Sequence, residues 1–236
     1  MDPVGIIASP YKQRFAIPRQ PGLVKSARAK IYLNASFSKD AVKGIDEFSH
    51  IWVIFKFHES RGQSFKEVVR PPKLGGKVGR GVFATRSPFR PNDIGLSVVK
   101  LLGYGEEGKQ VVLEIEGGDF LDGTPVYDIK PYVPYADAVD DATSAWAQTE
   151  ESRITVNCDV ETVAKDLSAE ERERLDEQIG FIRESLSLDP RPAHERGIDA
   201  REGQTWGVVL GDFEVKFTVQ KGELVITRLH LHSAAL

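Results

Sequence analysis

The chain has 236 residues, of which 41% are hydrophobic and 28% charged, so it is long enough to bury a core as one large domain or two small ones. Neither a membrane span nor a secretory signal is expected, because no apolar run approaches the ~20 residues that cross a bilayer and the N-terminus MDPVGIIASPYKQR has no cationic leader before a long apolar stretch. The net charge is -4 and Cys158 is the only cysteine, which excludes an intrachain disulfide and fits a cytoplasmic protein in a reducing compartment.

The first half of the chain contains short runs rich in Val, Ile, Phe and Tyr, which Gly, Pro and charged residues separate. Such runs favour strands, and we expect them at residues 4–9, 29–34, 51–57, 81–85, 96–103 and 110–117. No long amphipathic helix alternates with them, so a parallel βαβ sheet is disfavoured and a mostly antiparallel, closed or nearly closed β-barrel is expected. No G-x-G-x-x-G and no P-loop lysine motif occurs, so the sequence does not support a Rossmann nucleotide site.

Between the first two predicted strands, residues 16–29 (AIPRQPGLVKSARA) place Arg19 and Gln20 between two prolines. Proline fixes φ and removes a backbone donor, so this segment can hold its polar side chains outward at low entropic cost. It is either a stiff binding loop or an ordinary surface turn.

The third predicted strand ends in His58 and Glu59 (FKFHES, 55–60). A His–Glu pair at a strand end suits a metal ligand, an acid–base pair or a local hydrogen bond. The other histidines are scattered at positions 50, 194, 230 and 232, and Cys158 has no CxxC or Cys/His partner spacing, so no metal site is predicted.

A basic stretch follows from Arg61 to Arg90, with eight Lys and Arg against Glu67 and therefore a net charge of +7. Residues 1–140 carry a net +4 and residues 141–236 a net -8, so the cationic surface is local. It indicates either a polyanion partner met at one face or a solvated charged loop. Its end, GVFATRSPFRPNDIGLS (81–97), combines two arginines with two prolines, which predicts a rigid cationic connection.

The segment FLDGTPVYDIKPYVPYAD (120–137) is the densest group of polar and aromatic residues. Gly123 is free to take positive φ and the following proline restricts Thr124, so DGTP is expected to be a turn. Asp128 and Lys130 are two residues apart and face the same side of an extended segment, with three tyrosines around them. The group suits a nucleoside-like ligand, or equally a buried ion pair near a barrel rim.

The second half of the chain predicts a smaller α+β domain. The acidic, alanine-rich residues 138–151 are expected to form a linker between a barrel domain, 1–145, and this C-terminal domain, 146–236. A strand is expected at 154–158, then a helix over 167–186 with Ser168 as N-cap and Glu171 as its capping-box partner. The apolar stripe of that helix is expected to pack on its own domain's sheet rather than on a partner. The alternation in WGVVLGDFEVKFTVQKGELVITRLHLH predicts two or three antiparallel strands.

The chain resembles the TsaA/TrmO family of tRNA N6-methyltransferases, through PRQPG, FHES, FATRSPFRPN-IGLS, DGTPV-DIKPYVPYAD and SLDPRPAHERG, in this order from Ile6 to near the C-terminus. The joint occurrence of RSPFRPN and DIKPYVPYAD is highly specific. The resemblance implies a β-barrel that binds S-adenosyl-L-methionine and methylates N6 of threonylcarbamoyl-adenosine at position 37, beside the anticodon of certain tRNAs. It also implies a homodimer with the site near the subunit contact.

Residue by residue, the resemblance implies a cofactor site made of Pro18, Arg19, Gln20, His58, Glu59, Arg86, Leu96, Asp122, Gly123, Thr124 and Pro125. The candidates for the chemistry are Asp128 as proton acceptor, Glu59 as the second choice, and Lys130 and Tyr132 beside them. The candidates for contact with the tRNA or its threonyl carboxylate are Arg90, Asn92, Arg191 and Arg196. The family pattern RPNPIG is broken by Asp93, which removes one φ constraint from this loop and adds a negative charge.

Two alternatives from other functional classes stay open at this point. A non-catalytic barrel that binds RNA through the basic stretch would have no affinity for S-adenosyl-L-methionine. A methyltransferase that acts on a small molecule would turn over without tRNA.

Overall fold

The structure, a computed structural model, describes residues 1–60, 65–147, 152–192, 195–196, 199, 201 and 203–232. Within these residues the strands are β1 (Gly5–Ala8), β2 (Arg28–Leu33), β3 (His50–Lys56), β4 (Val68–Val69), β5 (Arg80–Gly81), β6 (Ile94–Glu107), β7 (Gln110–Glu116), β8 (Thr124–Pro131), β9 (Val156–Asn157), β10 (Trp206–Leu210), β11 (Phe213–Gln220) and β12 (Glu223–Leu231). The α-helices are α1 (Pro134–Asp137), α2 (Val160–Val163) and α3 (Ala169–Ser187).

Six antiparallel strands in the order β1-β2-β7-β6-β3-β8 form a sheet that closes on itself as a barrel, because β1 pairs with both β2 and β8. Buried side chains alternate with partly exposed ones along the strands, as in β3, where Ile51, Val53 and Phe55 point into the barrel. This alternation is what lets one face of each strand fill a common core. The predicted mainly β, antiparallel architecture is confirmed.

Two features of the sheet differ from the predicted strands. The segment GVFAT is not a strand, since β5 ends at Gly81 and Val82–Ala84 form a 3-10 turn that buries Val82. Conversely, β8 was not among the predicted strands, because it carries two prolines and two charged residues that are depleted in strands. Hydrogen-bonded pairing with β1 on one side and β3 on the other overrides that low propensity.

The C-terminal part builds a four-stranded sheet in the order β10-β11-β12-β9, in which β9 runs parallel to β12. Helix α3 begins as the sequence predicts: the Ser168 hydroxyl accepts from the Glu171 amide at 3.2 Å, and the Glu171 carboxylate accepts from the Ser168 amide at 2.7 Å. Leu175, Ile182 and Leu186 are fully buried in the same core as the sheet residues. The prediction that this stripe packs within the chain is therefore confirmed.

The described residues contain two apolar cores. One fills the barrel, and the other lies between α3 and the four-stranded sheet. The second core also takes in Tyr11, Ala16, Val24 and Ala27, which precede β2 in sequence. The division of the chain near residue 145 stays a prediction, and the segment between β1 and β2 packs across it.

No helix among the described residues is both long and apolar enough to cross a membrane.

Candidate active site

Three connections of the barrel emerge at the same end. The register of β1 and β8 places Ile7 opposite Thr124, and that of β3 and β6 places Lys56 opposite Ile94. Because antiparallel neighbours reverse direction, the β1–β2, β3–β6 and β7–β8 connections share one end, which we call the site end. These connections carry PRQ, HES with RSPFRPN, and DGTP, so the closed sheet brings all four motifs to one end of the barrel.

The DGTP turn is fixed by hydrogen bonds to the segment around the end of β1. The amides of Asp122 and Gly123 each donate to a backbone carbonyl of that segment at 2.9 Å. The Asp122 carboxylate accepts from the Ser9 amide at 2.8 Å and contacts Lys12 Nζ at 2.9 Å. Gly123 has a φ of 75°, which confirms the predicted turn and explains why glycine suits it.

His58 and Glu59 form a 3-10 turn directly after β3. The His58 Nδ1 atom lies 3.4 Å from the Thr124 hydroxyl, so the HES turn meets the DGTP turn. An open cavity of about 640 Å³ lies here, lined by Met1, Pro3, Lys56, His58, Glu59, Pro125 and Tyr127. Rings beside a few polar groups are the usual lining of a small-molecule site.

Arg86 and Gln20 join two of the connections, since an N–H of the Arg86 guanidinium donates to Oε1 of Gln20. The third connection adds Asp119, whose carboxylate accepts from the Ser97 hydroxyl at 2.7 Å. Burial raises the pKa of Asp119 to about 6, although the hydrogen bond from Ser97 and the charge of Arg86 act to lower it. The site end thus holds a cation and a carboxyl group that titrates near neutrality.

Leu96 and Asp128 face outward on the barrel wall, two residues from the Lys56–Ile94 pair at the site end. The registers place Asp128 opposite Ile54 and Ile54 opposite Leu96, so the three form one row across β8, β3 and β6. Leu96 is 53% exposed. Lys130 Nζ lies 2.9 Å from Asp128 Oδ2, which confirms that these two side chains face the same side. Both are substantially exposed, so the alternative of a buried ion pair is wrong.

Tyr132 lies at the opposite end of the barrel. Its amide donates to the carbonyl of His50 at 3.0 Å, and its ring packs against His50 and Trp52. Eight residues separate it from Thr124, roughly 26 Å along an extended strand, and Lys130 lies only two residues nearer. Within one copy, the strand therefore holds Tyr132 and Lys130 away from the turn at Thr124, and their role in the chemistry stays a prediction.

Two of the residues predicted to contact tRNA, Arg90 and Arg191, make hydrogen bonds within the chain. Arg90 donates to two carbonyls of its own loop, at 2.9 and 3.2 Å, and so braces that loop rather than extending from it. Arg191 is 2% exposed. It donates twice to the Asp189 carboxylate, at 2.8 Å each, and stacks on Trp206. Its guanidinium is thus buried and paired within the chain, which gives no support to a contact with tRNA, and that contact stays a prediction.

The other predicted residues fall at surface and connection positions. Pro18 is buried and Arg19 partly exposed in the β1–β2 connection, and Asn92 is exposed just before β6. Arg196 lies in the C-terminal part, where its Nε donates to the carbonyl of Arg191 at 3.1 Å. Arg61 of the basic stretch and His194 lie outside the described residues.

Asp93 takes a backbone conformation that explains the departure from RPNPIG. Its φ is 49°, in the left-handed region that Asp tolerates better than most residues. Proline fixes φ near -65°, so this backbone excludes proline at position 93. The carbonyl of Asp93 accepts from the Phe57 amide at 2.8 Å, which ties the end of the connection to the residue before the HES turn.

Sequence reasoning missed Asp119, Ser9 and Lys12. Asp119 carried a signal, since it follows a Gly-Gly pair immediately before the DGTP turn. Ser9 and Lys12 carried none, because their contacts with Asp122 join positions more than a hundred residues apart along the chain.

Comparison with known proteins agrees with this geometry. Residues 6–138 match the family model of the tRNA-methyltransferase O N-terminal domain, and residues 151–232 match that of the TrmO C-terminal domain. The chain is 45% identical to the tRNA (adenine(37)-N6)-methyltransferase of Escherichia coli K12 over 220 residues, which cover 92% of this chain and 91% of that protein. It is 41% identical over 146 residues to a Pyrococcus abyssi protein named "Probable S-adenosyl-L-methionine-binding protein", covering 62% of this chain and 74% of that one.

A solved structure extends the likeness to the whole fold. The crystal structure of TrmO from Pseudomonas aeruginosa matches with a TM-score of 0.76 at 36% identity, covering 97% of this chain and 96% of that chain. Both parts of the chain are thus matched in sequence and in structure. The family to which this chain belongs is therefore the TrmO family of tRNA methyltransferases.

Proposed function

We propose that this chain transfers the methyl group of S-adenosyl-L-methionine to N6 of adenosine 37 in tRNA, and that this adenosine carries the threonylcarbamoyl group. The observation that carries the proposal is the meeting of PRQ, HES, Arg86 and DGTP at one end of the barrel. The name of the Escherichia coli relative supports the acceptor base, and the name of the Pyrococcus relative supports the cofactor.

The site end fits S-adenosyl-L-methionine, which combines an adenosine with a sulfonium, an ammonium and a carboxylate. The cavity of about 640 Å³ lies within the roughly 300–1,000 Å³ of ordinary ligand sites. The Glu59 carboxylate that lines it suits the cationic groups, and the Arg86 guanidinium in the same connection suits the carboxylate.

The side chains and turns that would hold the cofactor are Pro18, Arg19, Gln20, His58, Glu59, Arg86, Asp122, Gly123, Thr124 and Pro125. When bound, the cofactor supplies an electrophilic methyl group. The contribution of this chain is orientation, since an in-line displacement needs the acceptor nitrogen about 3–3.5 Å from the methyl carbon. The prolines, the Arg86–Gln20 hydrogen bond and the hydrogen-bonded DGTP turn restrict motion at the site end.

A carboxylate completes the chemistry by accepting the N6 proton. The N6 lone pair is delocalised, and a carbamoyl substituent makes the N–H more acidic, so proton removal accompanies attack. Glu59 lines the cavity at the site end and is one candidate for the acceptor. Asp128 is the other candidate; it is paired with Lys130 on the outer wall and follows Tyr127, which lines the same cavity.

The cationic β3–β6 connection supplies the surface for the tRNA. Lys66, Arg70 and Lys77 are exposed on it, so their charges are available to phosphates of the anticodon stem and loop. This is also where the aromatic side chain of Phe89 lies, with Lys66 Nζ 4.7 Å from its ring centroid.

A homodimer completes the proposed site. Leu96 is 53% exposed and lies in an outer-wall patch with the half-buried Trp52, Ile54 and Val98. An apolar patch of this kind supports a contact with a second copy. Such a contact would carry Leu96 and Asp128 of one copy toward the site end of the other.

We further propose that residues 1–145 carry the chemistry, that residues 146–236 support it, and that the enzyme works in the cytoplasm. The single cysteine of the chain favours a reducing compartment.

The test is mass spectrometry of position-37 nucleosides after incubation with methyl-labelled S-adenosyl-L-methionine and tRNA with or without threonylcarbamoyl. We expect the label on N6 of the threonylcarbamoylated base and little on unmodified tRNA. Equal rates on both tRNAs would refute the assigned acceptor. Turnover without tRNA would favour a small-molecule substrate, and absence of cofactor binding would favour a non-catalytic RNA-binding barrel.

A further inference from the structure

Residues 9–27 join β1 to β2. Their buried apolar side chains pack in the C-terminal core, and several of their polar groups contact residues at the site end. We call this segment the strap. Tyr11, Ala16, Val24 and Ala27 are buried among residues of α3 and the four-stranded sheet. Tyr11 stacks edge-on against Phe181 of α3, with ring centroids 5.4 Å apart. The strap is thus packed by a part of the chain that contains none of the predicted cofactor residues.

Helix α3 also holds the backbone of the strap. The Glu184 carboxylate accepts from the amides of Lys25 and Ser26, at 2.9 Å each, and from the Ser26 hydroxyl. Burial acts to raise the pKa of Glu184, but the hydrogen bonds from Ser26 and Lys25 outweigh it and lower that pKa. Hydrogen bonds to an ionised acceptor are among the stronger ones in proteins.

A second anchor lies beside the first. Arg153 donates to the carbonyl of Leu23 at 2.6 Å and to the Ser187 hydroxyl at 2.8 Å. Two residues of the C-terminal part, Glu184 and Arg153, therefore hold backbone groups of three strap residues, Leu23, Lys25 and Ser26.

The opposite side of the strap contacts the proposed cofactor residues. Ser9 and Lys12 hold the Asp122 carboxylate, and Gln20 accepts from Arg86. The Gly22 amide donates to the carbonyl of Gly117 at 2.7 Å. Any shift of the strap would therefore move Gln20 away from Arg86 and disturb the turn that contains Asp122.

We propose that Glu184 is a positioning residue for the cofactor site, which acts from α3 by fixing the strap in the shape that presents Gln20 and supports Asp122. The proposal rests on the proposed cofactor. Its physical basis is preorganisation: a loop already held in its bound shape loses less conformational entropy when the ligand arrives. The C-terminal part thereby sets the cofactor affinity of the barrel without touching the cofactor.

The experiment compares Glu184→Gln with Glu170→Gln in the full-length protein. Glu170 is an exposed residue of the same helix that pairs with Arg174 and does not contact the strap. We expect Glu184→Gln to bind S-adenosyl-L-methionine roughly tenfold more weakly by calorimetry without tRNA, whereas Glu170→Gln binds like the wild type. Arg153→Gln, which releases the strap at Leu23, is expected to weaken binding in the same direction.

Hydrogen exchange provides a readout that does not depend on the cofactor. In apo Glu184→Gln, the amides of Lys25 and Ser26 should exchange faster, and so should that of Asp122, which donates to the strap carbonyl of Tyr11. Unchanged exchange at Asp122, or wild-type cofactor affinity in both strap variants, overturns the inference. If the wild type itself fails to bind S-adenosyl-L-methionine, the proposed function is wrong, and the exchange measurement still decides whether Glu184 holds the site end.

Discussion

At the scale of single residues, Asp119 shows how the fold shifts the pKa of a carboxyl group that the sequence alone does not distinguish from others. Its carboxyl is enclosed near the end of the barrel with Ser97 as hydrogen-bond donor and Arg86 as the nearby cation. Burial disfavours the charged form, which places the pKa at about 6. A carboxyl with this pKa beside the proposed cofactor residues is partly protonated in mildly acidic buffer and ionised above neutrality.

The stability of the protein should therefore respond to Asp119 in a pH-dependent way. The native pKa is about 6 against 3.8 for the free group, so the native state binds the proton more tightly and stability falls as pH rises between these two values. Asp119→Asn has no carboxyl to titrate at this position. We therefore expect its free energy of unfolding, relative to that of the wild type, to increase by roughly 1–2 kcal/mol from pH 5 to pH 8. Urea unfolding at both pH values measures it.

The matched control is Asp140→Asn, at an exposed position. Its stability difference from the wild type should be the same at both pH values. A difference between Asp119→Asn and the wild type that is also constant with pH would show that the Asp119 carboxyl does not titrate in this range.

At the scale of elements, the β3–β6 connection divides its cations between two tasks. Arg86 donates to Gln20 and Arg90 to two carbonyls of the connection itself, whereas Arg70 and Lys77 lie exposed around the small β4–β5 ladder. A basic run in the sequence therefore does not translate into an equally basic surface. Only its exposed members are available for counterion release on tRNA binding.

Neutralising Arg70 and Lys77 should weaken tRNA binding and make that binding less dependent on salt concentration. For Arg70→Gln with Lys77→Gln, the slope of log K against log salt should decrease in magnitude by about 0.7–0.9 per lost phosphate contact. Affinity for S-adenosyl-L-methionine should not change. Fluorescence anisotropy with labelled tRNA at several salt concentrations measures the slope.

Lys165→Gln serves as the control, because this exposed lysine lies in the C-terminal part, away from the basic connection. A slope that is the same in the double variant and in the wild type would show that these two cations do not meet phosphates.

At the scale of the whole molecule, the predicted site residues lie in two neighbouring places, the connections at the site end and the outer wall beside them. Gln20, His58, Arg86 and the DGTP turn lie at the site end, whereas Leu96 and Asp128 lie in a row on the outer wall. This row lies two residues from the Lys56–Ile94 pair at the site end, and its side chains face outward, where a second copy could reach them. A second copy packed on this row would border the site end, which is the reason for proposing a dimer.

Leu96→Glu should separate such a dimer. A charge placed in an apolar contact costs far more than at a solvated position, so we expect a monomer at micromolar concentration in analytical ultracentrifugation and loss of cofactor affinity. The control is Tyr104→Glu, at an exposed position farther along the same strand, which should stay dimeric. A Leu96→Glu protein that stays dimeric and binds the cofactor normally would contradict the proposed contact.

The sequence by itself determined the features that depend on local patterns. The capping box of Ser168 and Glu171 and the apolar stripe after it predicted α3, and most barrel strands followed from alternating β-branched and aromatic residues. The joint motifs predicted the family, because each motif is a short contiguous stretch. Local hydrogen bonding and side-chain periodicity suffice for predictions of this kind.

Only the tertiary structure decided where the side chains act. Arg191 and Asp128 are both polar residues within family motifs, yet closure of the two cores buries one in a salt bridge and leaves the other on the outer wall. The raised pKa of Asp119 and the anchoring of the strap by Glu184 arise from contacts between residues far apart in sequence. Burial and long-range contacts are set by how the strands close and pack, and no local pattern records them.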